Sequence, residues 1–463
     1  MKTPAMRTGS RSIQAGRAKQ LLPLLLLALP LCAQDEVRRA AWTKPEVTAR
    51  IEEGIRANRT GWVTLRVVDA QGKPVSGASV EAELVRHEFL FGANGFMVDG
   101  FQKREENEQF ARAFTELFNF VTIPFYWRGI EPRQGVVRYD STSEPIYRRP
   151  PPETVLAWAA KHGLTTKGHT LVWDNPTHQL PEWLPENPRE RERLIWQSVE
   201  RTVSRYGRRI PVWDVVNESI ARHINVPMPR DYVFRAFELA NRLFPPEATL
   251  LINETTALWS NDRDEYSPYY LLISNLLARG ARVDAIGLQF HFFSEGQHQD
   301  VREGKALTPD KFFRILDLYG RFGKPLHVTE ITIPTLPATT DGEQAQAEMT
   351  RDFYRAWFSH PNVEAVTWWN LVDDTAVPGE DKWRGGLVRR DFSEKPSYAA
   401  LRKLIREEWT TKFNGTADSA GSVTFRGFRG HYRAKVRRGG KETVVEFDLK
   451  KGTSTQALRV EGL

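Results

Sequence analysis

Val212-Trp213-Asp214-Val215-Val216-Asn217-Glu218-Ser219 is a short apolar strand that ends in polar residues. The same design recurs along the chain. Phe89-Leu90-Phe91-Gly92, Phe118-Asn119-Phe120-Val121 and Thr165 to Trp173 precede it. Thr249-Leu250-Leu251-Ile252, Ala285-Ile286-Gly287-Leu288, Leu326-His327-Val328-Thr329 and Ala365-Val366-Thr367-Trp368-Trp369 come after it. Between them the apolar spacing turns helical, as in Phe110 to Leu117, Arg191 to Tyr206, Tyr269 to Leu277 and Met349 to Phe358. Eight strands, each followed by a helix, predict an α/β fold: a (β/α)8 TIM barrel over residues 87–407. A doubly wound sheet is the structural rival. The count of eight and the polar strand ends favour the barrel.

Both flanks are β-like. Residues 34–86 read as a charged helix followed by a small N-terminal β module, with strands around Trp62 to Val68 and Val80 to Leu84. This is too little chain for its own core, so it is expected to pack on the segment that comes next in the chain. Residues 408–463 read as a small C-terminal all-β domain with Gly439-Gly440 as a hairpin turn. Its aromatics Phe425, Phe428 and Tyr432 are candidates for binding sugar from an exposed face; a structural spacer is the plainer reading. Residues 1–33 combine a basic stretch, the apolar run Leu21 to Leu31 and Cys32-Ala33, the pattern of a secretory signal peptide. The run is too short for a stable membrane span. A secreted or periplasmic protein is expected. A lipid anchor on Cys32, the only cysteine, fits poorly behind the bulky Leu31.

The net charge of +7 does not form a nucleic-acid surface, because Lys and Arg are interleaved with acids, as in Arg189-Glu190-Arg191-Glu192-Arg193. No cysteine pairs or Gly-rich phosphate loop suggest a metal or nucleotide cofactor, and a monomer is expected. Chemistry is therefore sought at the carboxyl ends of the barrel strands. Two glutamates stand there, Glu218 after the fourth strand and Glu330 after the seventh. Strands four and seven face each other across a closed barrel. Two converging carboxylates suit acetal hydrolysis, one as acid and one as nucleophile. Taken alone, two strand-end glutamates also fit structural salt bridges.

The wording around them is more specific. Trp213-Asp214-Val215-Val216-Asn217-Glu218 resembles the acid/base strand of glycoside hydrolase family 10, whose typical members are endo-β-1,4-xylanases. Gly168-His169-Thr170-Leu171-Val172-Trp173, Pro181-Glu182-Trp183-Leu184, Gly287-Leu288-Gln289-Phe290-His291 and Thr329-Glu330-Ile331 resemble its other strands in chain order. Ile130-Glu131-Pro132-Arg133-Gln134-Gly135, Gly386-Leu387 and Lys395-Pro396-Ser397-Tyr398 match as well. The resemblance implies a retaining glycoside hydrolase cleaving β-1,4-linked polysaccharide, xylan or a related hemicellulose, without a cofactor. The alternative is a catalytically inactive glycan-binding barrel. The resemblance makes Glu218 the acid/base, Glu330 the nucleophile and Asn217 the partner of the sugar 2-hydroxyl. His291 would orient the nucleophile with support from Gln289, and His169, Trp173 and Trp369 would line the subsite. For the two histidines a satisfied core position is the competing reading. Trp383, in the last long loop, is a further stacking candidate.

Three places depart from the family's wording. Asp174 stands where a His is usual, adding a third acid expected to perturb the glutamates. In Thr122-Ile123-Pro124-Phe125-Tyr126-Trp127 the usual Asn-Glu pair is missing, and Tyr126 sits at the position of a usual Lys before Trp127. The fifth strand ends Asn253-Glu254 in place of Asn-Asp. Asp174 and Tyr126 are accordingly expected to reshape the sugar-binding wall, which Trp127, kept from the family's pattern, is expected to line with them.

Overall fold

A computed structural model describes residues 35–221, 226–453 and 455–460. The signal-peptide reading and Cys32 lie outside the described residues. Two strands come first, β1 (Thr60–Val68) and β2 (Ser79–His87). The next eight are β3 (Leu90–Asn94), β4 (Phe120–Pro124), β5 (Thr165–Val172), β6 (Val212–Asn217), β7 (Thr249–Glu254), β8 (Ala285–His291), β9 (Leu326–Thr332) and β10 (Val363–Trp368). They close into a parallel barrel in chain order, β10 returning to pair with β3. Their residues are buried almost without alternation, as strands must be when side chains fill the barrel on one side and meet helices on the other. The helices start cleanly: Pro152, Pro188, Pro268 and Pro309 each open one, where the absent N–H costs nothing.

The expected strands are present, and several run further than their apolar cores. β8 extends through Gln289-Phe290-His291 and β9 through Thr332. β4 is shifted forward. Asn119 is a turn plug, its side chain accepting from Phe91 N at 2.9 Å and donating to the carbonyls of His87 and Phe89.

The flanks differ from the expectation of two separate β regions. The final strands are β11 (Lys412–Thr416), β12 (Ser422–Phe428), β13 (Gly430–Arg438), β14 (Lys441–Leu449) and β15 (Thr455–Arg459). β1 lies between β12 and β15, while β2 lies between β11 and β13. Both ends of the chain thus build one two-sheet sandwich. Each strand alternates buried and exposed residues, and neither end has enough apolar surface to close a core by itself. Val63, Leu65 and Val67 from the first end meet Ala434, Val436 and Phe447 from the second. Phe425 and Tyr432, candidates for binding sugar from an exposed face, are buried in this core, with Phe425 stacked on Phe413 at 4.5 Å and Tyr432 on Phe447 at 5.0 Å. Phe428 packs against Phe358 of the barrel and against His87 at the end of β2. Gly439 and Gly440 form the hairpin turn, with φ of 56° and 80°.

The sandwich joins the barrel beside the amino ends of β3 and β10, where Glu88 N donates to Arg429 O. Two leading helices, Glu36–Trp42 and Pro45–Arg59, run alongside the last long helix, Thr340–Ser359. Arg38 is buried there and pairs with Asp352 at 2.7 Å and Glu348 at 2.8 Å. Arg59 ties the second helix to the barrel through the carbonyls of Phe358, His360 and Val363. The carboxyl ends of the strands stay open on the opposite side.

Candidate active site

Those carboxyl ends surround a pocket of about 330 Å³. Glu218 and Glu330 both line it. Glu218 comes directly after β6 with φ of 51°, a left-handed conformation that a non-glycine residue adopts only when its surroundings impose it. Its N–H donates to Asn253 O at 2.9 Å, and the next turn is pinned by Glu254, which accepts from Ile220 N at 2.8 Å. Glu330 lies within β9. Gln289 on β8 reaches both acids, its Nε2 donating to Glu218 Oε1 at 3.1 Å and to Glu330 Oε1 at 3.0 Å. One nitrogen bridging two oxygens keeps them no more than roughly 6 Å apart, short of the roughly 6.5–9.5 Å of an inverting pair.

Different partners push the two acids apart. For Glu330, burial disfavours the charge. The hydrogen bond from His291 Nε2 to Oε2 (3.1 Å) and the nearby charge of His169 and Lys167 outweigh it, holding Glu330 below the ordinary carboxylate range. Asn253 Nδ2 adds a bond to Glu330 Oε1 at 2.9 Å. The other ring nitrogen of His291 lies 2.9 Å from the Thr332 hydroxyl, which fixes the ring. Glu218 is pushed well above the ordinary range by burial first, then by the charge of Glu330 and Glu254. One acid is therefore ionised where the other keeps its proton.

Behind them is a buried polar layer. Asn253 donates to Asn217 Oδ1 at 2.8 Å and accepts from the Thr329 hydroxyl at 2.5 Å. This fixes the Asn217 amide beside Glu218, to which it also hydrogen-bonds. Gly287 makes room: a Cβ there would sit 2.5 Å from Asn253 Oδ1. Deeper still, Asp214 bridges Lys167 Nζ at 2.9 Å and His169 Nδ1 at 2.8 Å, all three buried. Burial opposes the Asp214 charge, yet Lys167 and His169 keep its pKa below the ordinary value.

The wall is aromatic. Phe96, Tyr126, Trp173 and Trp369 form one cluster, with His169 edge-on to Tyr126 at 5.3 Å and to Trp369 at 5.5 Å. Of the residues singled out in the sequence, Glu218, Glu330, Asn217, His169, Trp173, Gln289, His291, Trp369 and Tyr126 all line the pocket. Three do not. Trp127 turns the other way, donating to Glu131 at 2.9 Å and packing among Leu180, Leu184 and Leu194; it begins a short helix, so its neighbour Tyr126 faces the cavity instead. Asp174 is fully buried behind the wall, and its charge acts on Glu254. The expectation that it perturbs Glu218 and Glu330 directly is corrected accordingly. Trp383 is buried one ring back, 6.3 Å from Phe293, which does line the pocket.

Several lining residues escaped sequence reasoning: Phe96, Arg148, Arg149, His178, Phe293 and Glu380. They stand on loops with no periodicity to mark them. Lys167, Asp214 and Asn253 were nearer to view, since each lies in a strand already recognised. The motif Ile130 to Gly135 is structural: Glu131 accepts from Trp127 and from Gly135 N, and its carbonyl accepts from Trp183. Lys395 is likewise structural, pairing with Asp373 at 3.1 Å. Among the described residues no cluster of His, Cys, Asp or Glu could hold a metal ion, and no helix is long and apolar enough to cross a membrane.

A parallel barrel whose strand ends bring two unlike carboxyls together beneath an aromatic wall is the arrangement used by retaining glycoside hydrolases. The chain belongs to glycosyl hydrolase family 10, whose model matches residues 92–404. Among curated proteins it is 25% identical over 408 residues to anti-sigma-I factor RsgI6 of Acetivibrio thermocellus, covering 87% of this chain and 48% of that protein. It is 27% identical over 277 residues to endo-1,4-beta-xylanase B of Thermotoga neapolitana, covering 57% of this chain and 75% of that one. The chain thus spans about half the length of the first relative and three-quarters of the second. The solved xylanase 10B of Thermotoga petrophila RKU-1 in complex with xylobiose shares the fold, with a TM-score of 0.56 at 23% identity over 69% of this chain and 95% of that one.

Proposed function

We propose that the protein is a retaining glycoside hydrolase that cleaves β-1,4-linked polysaccharide, xylan or a related hemicellulose, by double displacement. The observation that carries this reading is the single Gln289 amide spanning both acids, a closeness that suits direct attack and leaves no room for a water between acid and sugar. Glu330, ionised and aligned by His291, attacks the anomeric carbon while Glu218 gives its proton to the departing oxygen. In the second half, Glu218 takes a proton from water, which displaces Glu330 from the sugar. Asn217 donates to the 2-hydroxyl, and Trp173 and Trp369 receive the ring of the sugar. No observation favours the inactive glycan-binding alternative.

Glu218→Gln and Glu330→Gln are each expected to lower turnover on xylan by about 10³-fold or more with unchanged thermal unfolding. Wild-type turnover in either variant would sink the proposal. A product panel on xylan, glucan and mannan fixes the substrate. The N-terminal pattern supports export and the site is complete within one chain; N-terminal sequencing of the mature protein and its size in solution test secretion and the monomeric state.

A further inference from the structure

The wall that includes Tyr126 carries more positive charge than a neutral sugar needs. Arg148 is buried and Arg149 half-buried, and both line the pocket. Most buried cations elsewhere among the described residues meet a carboxylate. Arg38, Arg302, Lys395 and Lys167 each meet a carboxylate at 2.6–3.1 Å, and Arg138 spends all three side-chain nitrogens on carbonyls of its own loop. Arg148 differs. It donates to Thr375 O at 2.6 Å and Asn370 Oδ1 at 2.7 Å, both neutral, and its Nε has no partner among the described residues. Arg149 donates to the Arg148 carbonyl, at 2.9 Å. Glu380, which also lines this wall, offsets one of the two charges; its carboxylate accepts from the Asn370 amide at 3.4 Å.

The guanidiniums are also set against aromatic rings. Arg149 lies 4.0 Å over the Tyr126 ring, and Arg148 and Arg149 stand 5.4 and 5.7 Å from the Phe96 ring. Arg138 grips the Arg149 carbonyl, and Pro150, Pro151 and Pro152 come next in the chain. A stacked guanidinium keeps its N–H edge free, and that edge matches a carboxylate in a two-bond fork. A buried cation without a counter-charge is unfavourable until something supplies one.

We propose that this wall recognises a carboxylate on the substrate, so that the preferred glycan is a β-linked chain bearing uronic-acid groups, held against Arg149 and Arg148. This rests on the hydrolase reading and adds the substrate's charge to it. The other job open to the pair, binding the hydroxyls of a neutral sugar, makes a different prediction.

Three xylo-oligosaccharides of equal backbone length separate them: one with a glucuronic-acid branch, the same with its carboxyl reduced to the alcohol, and one unbranched. The wild-type protein is expected to show at least about tenfold higher kcat/KM on the acid than on its reduced twin. Arg149→Gln should bring that ratio close to one, Arg149→Lys should retain part of it, and added salt should shrink it. An acid-to-reduced ratio of one or less in the wild type, or a ratio unchanged in Arg149→Gln, overturns the inference and leaves the hydrolase standing. If no glycan is cleaved, the hydrolase reading is what fails. Calorimetry of the Glu330→Gln protein with the acidic and reduced oligosaccharides then decides the inference alone: tighter binding of the acid supports it, and equal binding overturns it.

Discussion

Glu218 and Glu330 are the same side chain in two electrostatic settings. Glu330 receives hydrogen bonds from three residues, His291, Gln289 and Asn253. Glu218 is buried, takes a neutral amide bond from Gln289, and has the negative charge of Glu330 beside it. In the proposed mechanism, activity requires Glu330 charged and Glu218 protonated. A group with a lowered pKa sets an acid limb below the ordinary glutamate range, and one raised to about 8 sets the alkaline limb there. The kcat/KM profile should be a bell spanning that interval. In Glu330→Gln the neighbouring charge is gone, so the Glu218 pKa should fall, though only in part, because burial is the larger cause. Carboxyl NMR titration reads this directly, and an unmoved Glu218 would contradict the coupling. That both acids reach one pocket was legible from the sequence, because each stands near the carboxyl end of a barrel strand in a recognisable phrase. Trp127, Asp174 and Trp383 were not placed correctly, because facing in or out depends on one residue of helical turn or one layer of packing. Sequence spacing at a strand end resolves neither.

At the level of elements, the site is held by β7 and β8 as much as by the strands bearing the acids. Asn253 on β7 grips Asn217 and Glu330 together, and it fits only because residue 287 on β8 has no side chain. Gly287→Ala would place a Cβ 2.5 Å from Asn253 Oδ1 and 3.0 Å from its Cα. Overpacking of this kind costs about 1–3 kcal/mol, and the strain falls on the group that aligns both catalytic partners. The expected result is a kcat at least about tenfold lower with a modest drop in unfolding temperature. Unchanged kcat would show that Asn253 does not position the pair. The barrel's strand order could be read from eight apolar runs. The full strand lengths could not, because polar residues such as Gln289 and His291 continue a strand into the pocket while looking like loop.

For the molecule as a whole, the barrel presents its chemistry at one end and carries the sandwich near the other. Among the described residues the sandwich supplies no side chain to the pocket, and its expected contribution is to stability. Truncating the chain after residue 408 would strip β1 of both neighbours and β2 of both neighbours, exposing Val63, Leu65, Val67, Val80 and Ala82. The truncated protein should be insoluble or unfold at markedly lower temperature, and residues 409–463 expressed alone should give no folded circular-dichroism signal. A soluble, active truncation would refute the joint core. The two flanks were visible in the sequence as β-rich, but alternation along a strand says nothing about which distant strand lies beside it.

That shared sandwich also sets an order of events in synthesis. β1 and β2 are made early, yet their partners β11, β12, β13 and β15 are made only after the whole barrel. Until then two sticky edges travel unpaired beside a growing barrel, and a chaperone that holds the nascent chain would find them there. Once β11 to β15 arrive they are clasped with β1 and β2 in one core, so a chain interrupted before β11 is betrayed at β1 and β2. The arrangement works as a check on everything between them: only a chain translated through β15 can bury β1.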